Sequence, residues 1–167
     1  MKFRIAQKPD WQRITDIYNQ AVEDGMNTAD TERISLDERI EWFNQHNENE
    51  YPIIVAEKEE IIGWCSLSPY RPGRKALRKT AEISYYLDRN YRGKGLGSEL
   101  VQYSLNIAKK FGFKNLLAIL LDENKISVRL LEKFGFTKWG HLPGIAEFEG
   151  EKCGQFIYGR NIENLNI

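Results

Sequence analysis

The sequence predicts a mixed α/β (α+β) domain, and three observations carry the prediction. Short β-rich segments alternate along the chain with segments of helical period. A strand-like run, Thr80 to Asp88, leads through Arg89-Asn90-Tyr91 into a glycine-rich loop, which opens directly onto the strongest helical pattern in the chain. Finally, the nearly all-apolar run Leu116 to Leu121 reads as a strand covered on both faces, for which a parallel neighbour is the economical inference. With 167 residues, 41% of them hydrophobic, the chain has the size and core of one domain spanning 1–167. It shows no internal repeat, linker or low-complexity tract.

Taken in order, residues 2–7 alternate as a short strand. Asp10 is then placed to cap a helix with Trp11, Ile14, Ile17, Tyr18, Ala21 and Val22 on one face, ended by Asp24-Gly25. Ser35 and Glu38 have capping-box spacing ahead of Leu36, Ile40 and Phe43, predicting a second helix to about His46. Pro52–Lys58 and Ile61–Ser68 are β-rich runs joined through Glu59-Glu60 as a hairpin or meander. Tyr70 to Lys79, with Pro72, Gly73 and several bases, reads as an exposed loop before the fourth strand at 80–88. From Leu96 the positions Leu100, Val101, Leu105, Ala108 and Phe111 keep helical spacing, and Gly112 stops the helix. After the fifth strand, Asn124 or Ser127 starts a helix through Leu130, Leu131 and Phe134 that ends at Gly135. A strand follows from Phe136, and a last one lies around Gln155–Asn161.

Lys+Arg and Asp+Glu are each 24, so the formal net charge is zero and no general attraction to nucleic acid or a membrane surface follows. There is no apolar run of about 18 residues and no secretion-signal core after Met1, so a cytoplasmic location is expected. Cys65 and Cys153 lack metal-ligand spacing; no metal is expected, and buried free thiols are the plain reading.

The chemistry sits in the loop Arg92-Gly93-Lys94-Gly95-Leu96-Gly97. A diphosphate needs donors converging from one side, and the turn before a helix supplies unpaired N–H groups and the positive end of the helix dipole. Alternating glycines let that backbone approach, while Arg92 and Lys94 add charge. The spacing is neither the Walker loop nor the dinucleotide Gly-x-Gly-x-x-Gly fingerprint. Three glycines alone would serve equally well as a plain strand-to-helix turn.

The Arg-x-x-Gly-x-Gly pattern at Arg92, Gly95 and Gly97, with Asn124 and Gly135-Phe136 following in order, resembles the acetyl-CoA signature of the GNAT superfamily. The likeness extends over nearly the whole chain and is closest to the phosphinothricin and amino-acid N-acetyltransferase branch. Its marks include Arg4-Ile5-Ala6, Asp16-Ile17-Tyr18-Asn19, Gly63 to Pro69, Tyr70-Arg71-Pro72 and Glu82-Ile83-Ser84-Tyr85. The resemblance implies a mixed, mostly antiparallel central sheet flanked by helices, with the fourth and fifth strands splayed so that pantetheine fills the gap as a pseudo-strand. It implies that the backbone of Tyr85, Tyr86 and Leu87 binds the pantetheine amides. The amides from Gly93 through Ser98, including Lys94, Gly95, Leu96 and Gly97, would hold the pyrophosphate, and Asn124 and Ser127 the cofactor arm. It also implies a homodimer.

Transfer of acetyl from a thioester to an amine needs a neutral nucleophile, a stabilised oxyanion and a protonated thiolate. Glu82 matches the glutamate this branch is thought to use as base; a solvent-facing strand residue is its plainer reading. A backbone N–H near Tyr86 or Leu87 is the expected oxyanion donor. Just before Glu132-Lys133-Phe134-Gly135-Phe136, where relatives carry a tyrosine or histidine acid, stands Leu131. The thiolate proton must therefore come from water, another tyrosine or the substrate ammonium. The branch's residues of the last strand are also replaced around Cys153 to Gln155, which implies a different acceptor pocket. His46 and His141, with no acidic partner at a readable spacing, read as structural. Arg71, Arg74, Lys75, Arg78 and Lys79 read as a solvated loop ahead of a carboxylate selector. The expected function is an acetyl-CoA-dependent N-acetyltransferase acting on a small-molecule amine such as an amino acid. The alternatives are a protein N-terminus or lysine acetyltransferase, and a CoA-binding regulatory module without catalysis.

Overall fold

The structure is a computed structural model that describes residues 1–163, so the last four positions of the expected 1–167 domain lie outside the described residues. Its strands are β1 (Lys2–Ile5), β2 (Ile53–Glu57), β3 (Ile61–Pro69), β4 (Thr80–Leu87), β5 (Asn115–Leu121), β6 (Thr137–Phe148) and β7 (Glu151–Asn161). Its helices are α1 (Trp11–Glu23), α2 (Leu36–Asn44), α3 (Leu96–Lys110) and α4 (Lys125–Lys133). The strands form one sheet in the order β1-β2-β3-β4-β5-β7-β6, antiparallel throughout except between β4 and β5.

Each face of the sheet has its own apolar layer. The amphipathic stripe of α1 and Phe43 of α2 pack with Ile53, Val55, Ile61 and Trp64 on one face. Leu100, Val101, Leu105 and Ala108 of α3, with Leu131 of α4, cover Ile54, Ile62, Leu67, Ile83 and Leu116 on the other. Burying a Leu or Ile side chain in such a layer is worth about 1.5–3 kcal/mol, so these two layers hold the helices against the sheet.

Local signals act largely where the sequence puts them. Ser35 and Glu38 form the capping box of α2 reciprocally, with Ser35 N donating to Glu38 at 2.7 Å and Glu38 N donating to Ser35 Oγ at 3.3 Å. Gly25, Gly112 and Gly135 adopt positive φ beyond the ends of α1, α3 and α4. Asp10 departs from expectation: its side chain makes no cap hydrogen bond to α1. The residue ends a 3₁₀ turn and already has helical dihedrals, so its carboxylate turns back to accept from Gln7 N at 2.7 Å and from the Arg4 guanidinium at 2.6 Å. The second helix also stops at Asn44, short of His46.

Asp88 anchors the turn between β4 and the glycine loop. It is 2% exposed and accepts from Arg13 at 2.9 Å, Gln20 at 2.8 Å and Asn90 N at 2.9 Å. Burial alone would raise its pKa, but these donors together hold it below its ordinary value of 3.8. A depressed acid contributes stability that is present above its unfolded value and is lost as pH falls through the folded one. Asp88→Ala is therefore expected to lower the unfolding free energy near neutrality by about 2–4 kcal/mol, since it removes the buried acceptor shared by Arg13, Gln20 and Asn90 N. The loss should shrink on acidification below the ordinary carboxylate value, and urea melts at several pH values would check both effects.

Candidate active site

Strands β4 and β5 are parallel but pair over only three positions, Thr80–Asn115, Ala81–Leu116 and Glu82–Leu117. Beyond Glu82, β4 continues paired to β3 alone and β5 continues paired to β7 alone, so the two diverge and leave a slot through the sheet. The ladder fixes which backbone groups face it. Asp88 N donates to Ile62 O at 2.9 Å, and alternation along the regular β3–β4 register then turns the amide and carbonyl of Tyr86 toward β3. The amides of Tyr85 and Leu87 turn toward the slot. This corrects the expectation for Tyr86, whose backbone is taken by the ladder and which meets the slot through its ring.

On the α3–α4 side the slot opens into a cavity of about 430 Å³. Tyr85, Tyr86 and Leu87 form one wall, Ala118, Ile119 and Leu120 of β5 another, and Arg92, Gly93, Gly95, Gly97 and Ser98 the end, with Asn124, Ser127 and Leu131 contributed by α4 and its cap. Among the expected cofactor residues, Lys94 and Leu96 lie outside this lining. Lys94 instead donates to Asn90 O at 2.8 Å and sits over the Tyr91 ring, while Leu96 is buried as a core anchor of α3.

The loop has the form an anion requires. Gly93 and Gly95 adopt φ of 75° and 82°, and a Cβ at either would meet nothing within 4 Å. Gly95 is the N-cap of α3, and the amides of Gly93 through Gly97 have no hydrogen-bond partner among the described residues. Arg92 does not stand free: it donates to Leu87 O at 3.0 Å and forms an ion pair with Asp24 at the end of α1, which secures the loop against the sheet. A cation that the sequence did not single out contacts the lining residue Ser98: Lys133 of α4 donates to its Oγ at 3.0 Å. Asn124 caps α4 by accepting from Ser127 N at 3.1 Å; this use of its carbonyl leaves its amide NH₂ for a ligand.

On the α1–α2 side lies a second cavity, of about 380 Å³. The pleat of β4 turns Glu82, Ser84 and Tyr86 into it. Tyr18, Asn27, Thr28, Asp30, Glu38, Arg39, Trp42, Trp64 and Gln155 supply the remaining polar and aromatic wall. The Tyr18 hydroxyl donates to Asp30 and shares a hydrogen bond with Thr28 at 2.6 Å, which fixes the segment between α1 and α2 over the cavity. Asn27, Ser84, Tyr86, Ile119 and Leu120 line both cavities, so the two meet at the slot.

Glu82 is half-buried and has no hydrogen bond or ion pair among the described residues, and burial raises its pKa from its ordinary value. An unpartnered carboxylate in this cavity, beside the junction, is placed to accept a proton. Leu131 is 1% exposed and presents only methyl groups to the larger cavity. The hydroxyls of Tyr85 and Tyr86 are both pushed upward, chiefly by burial, and are weak acids.

The histidines separate. His46 bonds Trp42 O at 2.7 Å and Ser68 Oγ at 3.0 Å, and burial lowers its pKa, which fits a structural part. His141 has an acidic partner nineteen residues away in the chain, a spacing the sequence does not make readable. Its Nε2 lies 3.0 Å from Asp122, which the pairing of β7 with both β5 and β6 brings alongside. Among the described residues no group of three or more His, Cys, Asp or Glu is placed to hold a metal, and no helix is long and apolar enough to cross a membrane. The bases at 71, 74, 75, 78 and 79 line neither cavity.

Known proteins are similar to this chain in sequence and in fold. YwnH of Bacillus subtilis (strain 168), provisionally named a phosphinothricin acetyltransferase, is 42% identical over 164 residues, covering 97% of this chain and 99% of its own. The L-methionine sulfoximine/L-methionine sulfone acetyltransferase of Salmonella typhimurium is 30% identical over 158 residues, covering 94% of this chain and 90% of its own. A phosphinothricin acetyltransferase from Sinorhizobium meliloti, solved in complex with acetyl-CoA, superposes with a TM-score of 0.88 at 28% identity, covering 96% of this chain and 87% of that one. The model of the acetyltransferase (GNAT) family matches residues 11–136, and with a sheet splayed between β4 and β5 above a glycine-rich helix start, the chain belongs to that family of acyltransferases.

Proposed function

We propose that this protein transfers acetyl from acetyl-CoA to the amine of a small, amino-acid-like molecule, the donor entering from the α3–α4 side and the acceptor from the α1–α2 side. The observation that carries the reading is the junction of the two cavities at the slot, with Glu82 lining the acceptor cavity beside it. The unpartnered amides of Gly93 to Gly97 and the open space above Gly93 and Gly95 fit a diphosphate. The slot-facing amides of Tyr85 and Leu87 fit a peptide-like arm that would satisfy backbone groups otherwise costly to bury. Relatives named for amino-acid-like substrates support the acceptor class.

An alkyl amine with a pKa of about 10 arrives mostly as ammonium. Glu82 removes that proton directly or through water, and the freed lone pair attacks the thioester carbonyl. The Tyr86 amide is taken by the ladder, so of the two slot-facing amides, Tyr85 and Leu87, one donates to the oxyanion and the other to the arm. The nitrogen of the tetrahedral adduct is again cationic, and its proton passes to the departing sulfur as the C–S bond breaks. A proton delivered by the adduct makes an acid at Leu131 unnecessary. We take residues 1–167 as one such unit acting in the cytoplasm without a metal, as a homodimer in keeping with the resemblance.

Thiol release should be followed with acetyl-CoA against a panel of amino acids, amino-acid sulfones, polyamines and lysine peptides. Release with small amino-acid-like amines is the expected result. Acetyl-CoA binding without release for any amine would overturn the reading in favour of a module that binds CoA and does not catalyse.

A further inference from the structure

Arg39 is a buried cation whose hydrogen-bonding capacity nothing in the described structure uses. It lies on α2 four residues before Phe43, on the face turned to the sheet, and is 6% exposed. Its guanidinium carbon sits 4.0 Å from the ring centroid of Tyr18, 4.3 Å from that of Trp42 and 5.3 Å from that of Trp64. Rings stacked in this way cover the faces of a guanidinium and leave its edge, where the N–H donors point, to find partners elsewhere. Nε and NH1 are buried and find none, while Asp30 acts on the group only through space.

Leaving a buried charge with unmet donors is among the costliest arrangements a core can hold, and an apolar residue of similar volume would pack the same place without that cost. The cation's position gives the reason for it. Arg39 is the sole basic side chain in the described lining of the acceptor cavity, which it shares with Glu82. We propose that Arg39 is the specificity residue of that cavity, its edge donors binding a carboxylate carried by the amine acceptor while Glu82 meets the amine. A planar fork of donors matches a carboxylate in two parallel bonds, a geometry an ammonium cannot reproduce. This assignment rests on the acetyltransferase reading for the identity of the cavity. It refines that reading by making the acid group of the acceptor a requirement, and it locates the selector on α2, away from the basic loop.

Trp42 and Trp64 line the same cavity, so occupancy can be read from their fluorescence without any turnover. A set of L-amino acids, each paired with its carboxamide, should be titrated into the protein and into Arg39→Gln and Arg39→Lys. The expected result is at least one pair in which the wild type prefers the acid by about ten-fold or more. Arg39→Gln should erase that preference by weakening the acid alone, and Arg39→Lys, which keeps the charge and loses the fork, should fall between. Acetyl-CoA affinity should stay unchanged in both variants, which reports an intact donor side. Equal binding of acid and amide in every pair, no binding of any acid at millimolar concentration, or equal weakening of both by the variants would overturn the proposal. If Arg39→Gln does not fold, the wild-type preference and Arg39→Lys decide the matter. Selective binding without turnover would defeat the transfer reading and leave the Arg39 assignment standing, whereas turnover of acids and amides alike would do the reverse.

Discussion

Glu82→Gln is expected to lower kcat by about 10²–10⁴-fold while acetyl-CoA affinity stays within a factor of two or so, a range typical of losing one positioned general base. The split follows from position: Glu82 lines the acceptor cavity and is not part of the lining of the donor cavity. Glutamine preserves the shape of the side chain and its place on β4, so packing is retained and only the basic, titratable carboxylate is lost. Burial raises the Glu82 pKa, so the wild-type kcat/KM should rise with pH across a limb shifted from the ordinary carboxylate range toward neutrality. Only the deprotonated form accepts a proton from the ammonium. In Glu82→Gln that limb should vanish, leaving the slope set by free amine in solution. A full pH–rate profile of both proteins checks this, and an unchanged acid limb in the variant would assign the base elsewhere.

The second large effect belongs to the loop. Gly95→Asp should weaken acetyl-CoA binding by about a hundred-fold or more, because it sets a carboxylate against a diphosphate at the start of a helix. The φ of 82° is a conformation that asparagine and aspartate tolerate better than other side-chain-bearing residues, and a Cβ there meets nothing within 4 Å. The fold should therefore lose only about 1–2 kcal/mol, and thermal melting should remain cooperative. Gly95→Asn, with the same shape and no charge, separates the two causes: it should recover much of the binding that Gly95→Asp loses. Calorimetric titration with CoA measures both variants. Equal weakening by Asn and Asp would mean that backbone shape, and not charge, governs the loop.

The proposed donor side was legible in the sequence because phosphate recognition is local. Gly93, Gly95 and the start of α3 are contiguous, and the unpartnered amides come from the same few residues. Asn124 was legible for the same reason, since its capping bond spans three residues. Lys133 was not, because only the packing of α4 beside α3 brings it to Ser98. The acceptor wall was hidden for a related cause: Tyr18, Asp30, Arg39 and Trp64 are drawn from α1, the following segment, α2 and β3. A charged residue on a helix reads as solvated by default, and the signal available for Arg39 was its spacing of one helical turn from Phe43. The strands β6 and β7 were recognised only in part, the second from Gln155, whereas the two run continuously through Thr137–Phe148 and Glu151–Asn161. The face of β6 is largely exposed and lacks the alternation that marks a half-buried strand. The parity that turns Leu87 toward the slot and Tyr86 away from it depends on the pairing register, which sequence does not display.

The three-position contact between β4 and β5 has a consequence for how the molecule can change. Because the strands part so early, the proposed donor cradle and acceptor wall are built from largely separate sets of residues that overlap only along the slot and at Asn27. Substitutions at Thr28, Asp30 or Trp42 lie in one compartment and those at Ser98 or Asn124 in the other, so their energetic effects should add with little coupling. A fold with this division can retune the molecule it modifies while the group it delivers stays the same. Diversity of acceptors among relatives is then a property of the architecture, available to any chain that keeps the loop and the splay.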